Sequence, residues 1–224
     1  MCSSPVNSFT LARHKIAAVL LAAGRGVRMG GPTPKLLLPM KDGRPLLLHS
    51  LENALSLFPL EVVVVVRPEH LLLVQSSKFK VQRPIPALQA RSAPITYVPN
   101  PRHTEGMGTS LAVGISTLRA VSPQAEACLV LLGDQPHVPA AIVERLVEAY
   151  LRERAAITIP IYGEEPGPPT LFSRDLFPEL ARLEGDVGGR QLLARFPNRI
   201  VRVQFNEDER PKDIDTPEDY QAIK

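Results

Sequence analysis

IAAVLLAAGRGVRMGGPTPK, residues Ile16 to Lys35, changes character partway along, and that change decides the fold. Its opening, Ile16 to Ala23, is small or aliphatic without interruption, long enough for a buried strand and too short to span a membrane. Then glycine takes over. Gly24, Gly26, Gly30 and Gly31 let backbone come close to a ligand, while Arg25, Arg28 and Lys35 bring cations with no acid nearby. A glycine-rich turn offers backbone N–H groups to an anion, and Arg and Lys neutralise it, so the stretch predicts a polyphosphate site at the end of a buried strand. Two common phosphate loops do not fit. The G-x-G-x-x-G fingerprint requires glycine where Met29 stands, and a Walker loop requires lysine directly after its last glycine.

Outward from this stretch, Met1 to Lys15 lacks periodicity and reads as a flexible tail, leaving residues 16–224 as one domain. Pro45 to Phe58 predicts a helix with Pro45 in its first turn and leucines on one face. Glu61 to Arg67 encloses a run of valines, the signature of a parallel strand covered on both faces. A short helix over His70 to Ser76, a proline-spotted connection and a strand over Ile95 to Val98 follow. The remaining pattern predicts helices over Ser110–Val121, Ala140–Glu153, Ser173–Leu183 and Gln191–Phe196, and strands at Cys128–Leu132, Ala156–Ile161 and Ile200–Phe205, the last at an edge. Strand, crossover helix, parallel strand is the recurring unit, and the fold class is α/β with a mostly parallel sheet.

Several later segments carry candidate chemistry. Gly106 and Gly108 open the Ser110 helix, and small residues there leave N–H groups for an anion or a base edge; a plain helix cap is the other reading. Asp134 ends an apolar strand in Leu132-Gly133-Asp134-Gln135-Pro136. Ligands of open α/β sheets bind at that carboxyl edge, and a carboxylate there suits Mg²⁺; capping the next helix is the alternative, which Pro136 and Pro139 disfavour by delaying it. Gly188 and Gly189 at another helix start, with Arg190 within reach, offer a grip for a second phosphate; an ordinary helix-to-helix turn is the other reading. The terminal block Asp213-Ile214-Asp215-Thr216-Pro217 places two aspartates before a last helix, which Thr216, Glu218 and Asp219 serve.

Composition narrows the classes. The chain has 224 residues, ordinary apolar content and a formal net charge of +3, enough length for a core without staples. Cys2 and Cys128 make neither a disulfide framework nor a metal cluster, which points to a reducing cytoplasm. Charge is segregated: Met1 to Lys41 holds six Lys or Arg and no acid, whereas Glu207 to Asp219 holds seven acids and two bases. Without Trp, a basic helix stripe or stacking aromatics, nucleic-acid binding has little support. His103 and His137 form no zinc spacing, and no G-x-S-x-G elbow is present.

Leu21-Ala22-Ala23-Gly24-Arg25-Gly26-Val27-Arg28-Met29-Gly30, followed by Pro34-Lys35, resembles the L-A-A-G-x-G-x-R-M-G…P-K signature of nucleotidyltransferases. The order of Gly106–Ser110, Leu132–Pro136, Gly167–Phe172, Gly185–Arg190 and the terminal aspartates resembles the molybdopterin nucleotidyltransferase-like family, its molybdenum cofactor cytidylyltransferase branch in particular. The resemblance implies a three-layer α/β/α, Rossmann-like domain. It implies transfer of CMP from CTP to the terminal phosphate of molybdopterin with release of pyrophosphate. Arg28 and Lys35 would hold the triphosphate, and Ala22, Ala23, Gly24, Arg25, Gly26, Gly106 and Gly108 the nucleotide. Asp134 with Asp215, or Asp213, would hold Mg²⁺ or Mn²⁺, and Pro168, Phe172, Gly188, Gly189 and Arg190 would meet the acceptor. A molybdenum hydroxylase receiving the product is the implied partner, with no membrane involved. CTP rather than GTP rests on Ala23, where the guanylyl branch tends to have glycine. A sugar- or alcohol-phosphate acceptor and a non-catalytic cofactor carrier are the rival expectations.

Overall fold

The computed structural model describes residues 10–24, 34–57, 59–76, 93–186 and 188–223. Arg25, Gly26 and Arg28 therefore lie outside the described residues. Four parallel strands form the heart of the molecule: β1 (Ile16–Ala22), β2 (Val62–Val66), β3 (Ile95–Pro99) and β4 (Ala127–Leu132). Every residue of β1 and β2 is buried, which explains why both read as unbroken apolar runs: each is covered on both faces. Beyond them come β5 (Ile157–Tyr162), the short β6 (Glu165–Pro166), β7 (Thr170–Ser173) and β8 (Ile200–Phe205). The sheet order is β3-β2-β1-β4-β7-β5-β6, with β8 parallel to β5.

The helices are α1 (Leu46–Ser56), α2 (Leu71–Val74), α3 (Met107–Val121), α4 (Ala140–Glu153), α5 (Phe177–Leu180), α6 (Arg190–Arg195) and α7 (Pro217–Ile223). Alternation along β1 sorts them into layers. Ile16, Ala18, Leu20 and Ala22 face a core shared with α1, α4 and Tyr220 of α7. Ala17, Val19, Leu21 and Ala23 face one shared with α3, α5 and Leu192 of α6. The result is a three-layer α/β/α domain, as the resemblance implies, with the mostly parallel sheet that the sequence pattern predicts.

Three details differ from expectation. Thr170-Leu171-Phe172, part of the segment expected beside the acceptor and given no secondary structure from the sequence, is a strand: β7 runs antiparallel between β4 and β5. The predicted Ser173–Leu183 helix is shorter, a 3₁₀ turn followed by the single turn of α5. The unpatterned tail does not extend to Lys15. Leu11 is fully buried in a 3₁₀ turn over Leu11–His14 and donates its N–H to the Leu57 carbonyl.

Candidate active site

All four central strands end at one edge, and the cleft lies there. Its volume is about 810 Å³, and its lining draws on the ends of β1, β2, β3 and β4, the start of α3 and the terminal block. Ala22, Ala23 and Gly24 form the lining at β1, Lys35 and Asp134 stand beside them, and Gly106, Arg190, Asp213 and Asp215 complete the candidates that reach it.

Lys35 is the centre of the charge arrangement. Its Nζ donates to Asp134 Oδ2 and to Asp215 Oδ1, each at 2.7 Å, although the residue is only 7% exposed. Burial opposes the ammonium charge, but Asp134 and then Asp215 outweigh it and hold the Lys35 pKa above its ordinary value. Two residues 81 apart in sequence are thereby brought onto one cation, as the pair 134 and 215 shows. Asp213 stands alongside and accepts from Gln135 Nε2 at 2.8 Å. The protein around it, and then the charge of Asp134, push its carboxyl upward, while the Gln135 hydrogen bond pulls it back.

Local structure fixes this geometry. Gly133 precedes Asp134, and a Cβ there would come within 3.0 Å of the Leu21 carbonyl oxygen and 3.2 Å of Ala22 Cα, so glycine lets the turn lie against β1 without displacing that strand. The Gly133 N–H donates to Leu21, and Ser50 Oγ on α1 donates to the Gly133 carbonyl at 2.7 Å. Ile214 N donates to the Asp134 carbonyl, which draws the terminal block onto the strand end. Thr216 and Asp219 then form a reciprocal cap: Asp219 N donates to Thr216 Oγ1, and Asp219 Oδ2 accepts from the backbone of Thr216 and Asp215.

Other candidates take different places. Gly106, at φ +122°, lines the cleft, but a Cβ on it would sit 2.4 Å from the Gly185 backbone. The expected free donor at Gly108 is absent, because its N–H donates to the Gly185 carbonyl at 2.8 Å. Pro168 and Phe172 do not line the cleft: the Pro168 carbonyl accepts from Tyr162 Oη, and Phe172, 2% exposed, lies in the core under Gly189. Gly188 packs against Met107; of the acceptor set Arg190 reaches the cleft, joined by Asp186 of the same Gly185–Arg190 element.

Sequence reasoning missed the wall on the β2 and β3 side. Arg67 donates through Nε and Nη2 to the Gly24 carbonyl, at 3.2 and 2.5 Å, and His70 and His103 line the cleft next to it. Burial, and then the Arg67 charge, lower the His70 pKa. Asn100, fully buried after β3, donates to Thr109 Oγ1 and Ser110 Oγ and so ties the strand end to α3. A signal for Arg67 was present: it follows an apolar strand directly, as Asp134 nearly does.

The MobA-like NTP transferase domain matches residues 18–201, most of the chain. The chain belongs to that family. Among solved structures it is similar to the Mycobacterium tuberculosis Rv0371c homologue from Mycobacterium sp. strain JC1, at 30% identity and TM-score 0.72 over 93% of this chain and 94% of the other. It is also similar to Rv0371c of M. tuberculosis H37Rv in complex with manganese, at 27% identity and TM-score 0.65, covering 93% and 97%. The bifunctional protein GlmU of Rhodospirillum rubrum is 30% identical over 71% of this chain. The chain spans 31% of that relative's length. The matched domain includes the carboxyl ends of all four central strands, where the lysine–carboxylate cleft lies.

Proposed function

We propose that the protein transfers CMP from CTP to the terminal phosphate of molybdopterin. An oxygen of the acceptor phosphate bonds to the α-phosphorus of CTP, the bond from that phosphorus to the bridging β-phosphate oxygen breaks, and pyrophosphate leaves with the electron pair. The observation that carries the reading is the convergence of Lys35, Asp134 and Asp215 on one point of the cleft.

Such a transfer needs positioning and neutralisation of charge more than proton chemistry. Among the described residues no group of three or more His, Cys, Asp or Glu side chains is arranged to hold a metal alone. Two carboxylates that share one ammonium do suit a hard divalent cation, which completes its shell with phosphate oxygens and water. Asp134 and Asp215 would hold Mg²⁺ or Mn²⁺; Asp213, bonded to Gln135, is the alternative to Asp215. Once bound, the cation supplies Lewis-acid stabilisation of phosphate charge. Lys35, freed from its carboxylates, would turn to the triphosphate and steady the departing pyrophosphate, with Arg28 assisting from outside the described residues. Arg190 would meet the acceptor phosphate. The manganese complex of Rv0371c supports the use of a divalent ion.

A second reading keeps the reaction and changes the acceptor to a sugar or alcohol phosphate, which the similarity to GlmU favours. Pyrophosphate release from CTP or GTP, measured with molybdopterin and with sugar phosphates as acceptors in Mg²⁺, separates the readings. Release with molybdopterin and CTP is expected; release only with sugar phosphates moves the assignment, and no release with any acceptor leaves a carrier. Asp134→Ala is expected to lower turnover at least about 100-fold with circular dichroism unchanged, and undiminished turnover would remove the metal assignment.

A further inference from the structure

We propose that Arg67 is a positioning residue for the nucleotide, acting through the Gly24 carbonyl; this rests on the nucleotidyltransferase reading above. A glycine-rich loop gains its close approach to a ligand at the expense of order, since glycine has the most conformational freedom to lose. The loop needs a fixed exit. On the strand side that exit is Gly24, the residue on which Arg67 converges with Nε and Nη2.

The location of Arg67 is dictated by the sheet. Ala22 on β1 pairs with Val66 on β2, so the residues just beyond these strand ends are neighbours. The valines of β2 are fully buried, which leaves the Arg67 backbone little freedom. Its side chain is 16% exposed and its Nη1 lies 3.8 Å from Glu69 Oε1, so the guanidinium is held from a second side. A carbonyl that accepts two charge-assisted hydrogen bonds from one planar group is fixed in direction as well as position. Lysine, a point charge on a flexible stem, cannot supply both bonds at once.

The strand order shows what this fixing serves. Asp134 follows β4 on one side of β1, and Arg67 follows β2 on the other. With a triphosphate neutralised at Lys35 and the aspartates, a nucleoside lying across the β1 exit would meet the Arg67 wall of the cleft. Arg67 sets the height and direction of that exit, and the position of the whole nucleotide follows.

The test compares wild type, Arg67→Lys and Arg67→Gln. CTP is varied at saturating acceptor, CTP affinity with Mn²⁺ is measured by calorimetry, and thermal unfolding is recorded for each protein. Both variants are expected to raise the KM and Kd for CTP about 10- to 100-fold, with kcat within about threefold of wild type and similar melting temperatures. Should Arg67→Gln fail to fold, Arg67→Lys decides alone. Wild-type affinity for CTP in Arg67→Lys overturns the proposal, as does a loss confined to kcat or to thermal stability. A wild type that binds neither CTP nor GTP overturns both this proposal and the function it rests on, whereas tight binding by wild type and variants alike overturns this one only.

Discussion

Lys35 holds together two carboxylates that would otherwise repel each other. It neutralises Asp134 and Asp215 at 2.7 Å each; in the proposed reaction those carboxylates would take a divalent cation and the ammonium a phosphate partner. Replacing it should therefore reveal the underlying repulsion. Lys35→Met is expected to cost about 2 kcal/mol in a chelator, less than for a fully buried pair because both aspartates are partly exposed. That corresponds to a fall in Tm of about 4–8 °C. Added Mn²⁺ or Mg²⁺ should restore much of the loss, since a divalent ion takes over the ammonium's role. An unchanged Tm in the chelator would show that the two carboxylates do not need Lys35. At this scale the sequence was informative about identity and silent about contact. Lys35 and Asp134 stand out because motif and strand end mark them. The bond between them depends on Gly133 lying against β1 and on Ile214 donating to Asp134, pairings that no spacing encodes.

Two segments that read as separate sites prove to be one unit. The turn before α3 and the Glu184–Asp186 turn meet through backbone: Gly108 N donates to the Gly185 carbonyl, and a Cβ on Gly108 would stand 2.6 Å from the Glu184 carbonyl oxygen. Arg102 ties the same turns from outside, donating to Glu105 and Glu184. Glycine at position 108 is thus required by close packing, where its sequence context offered an anion- or base-binding helix start or a plain cap. Gly108→Ala should force the two turns apart, at a cost of about 1–3 kcal/mol. Because Arg190 follows the displaced turn, affinities for nucleotide and acceptor should fall together, by about tenfold or more each. Titration of each ligand separately checks this, and a loss confined to one would show that the turns act independently. The strand β7 escaped sequence reading for a comparable reason. Thr170 to Ser173 is short and follows Pro168 and Pro169, so its strand character comes from the vacancy between β4 and β5 rather than from local pattern.

Across the whole molecule, the two edges of the sheet carry different duties. The carboxyl edge holds the cleft; the amino edge holds groups with no route to it, among them the Lys15–Glu126 ion pair just before β1 and β4, and Glu61 just before β2. Glu61 is 6% exposed and its carboxylate accepts from Thr96 Oγ1 at 2.9 Å. Burial raises its pKa above the ordinary 4.5, and the Thr96 bond offsets only part of that. The folded state therefore keeps the proton when the unfolded chain has lost it. Below pH 4.5 both states are protonated and Glu61 costs nothing; as pH rises from 4.5 through the elevated folded value, the unfolded state is favoured and stability declines. Glu61→Gln should remove that decline: denaturation midpoints of wild type and variant are expected to agree below pH 4.5 and to separate above it, the variant being the more stable. Nucleotide KM should be unaffected, because β2 separates Glu61 from Arg67 by its full length. Midpoints that stay parallel across this range would show that Glu61 ionises as readily in the fold as in water, and a shifted KM would show that the two edges are coupled through the valine strand.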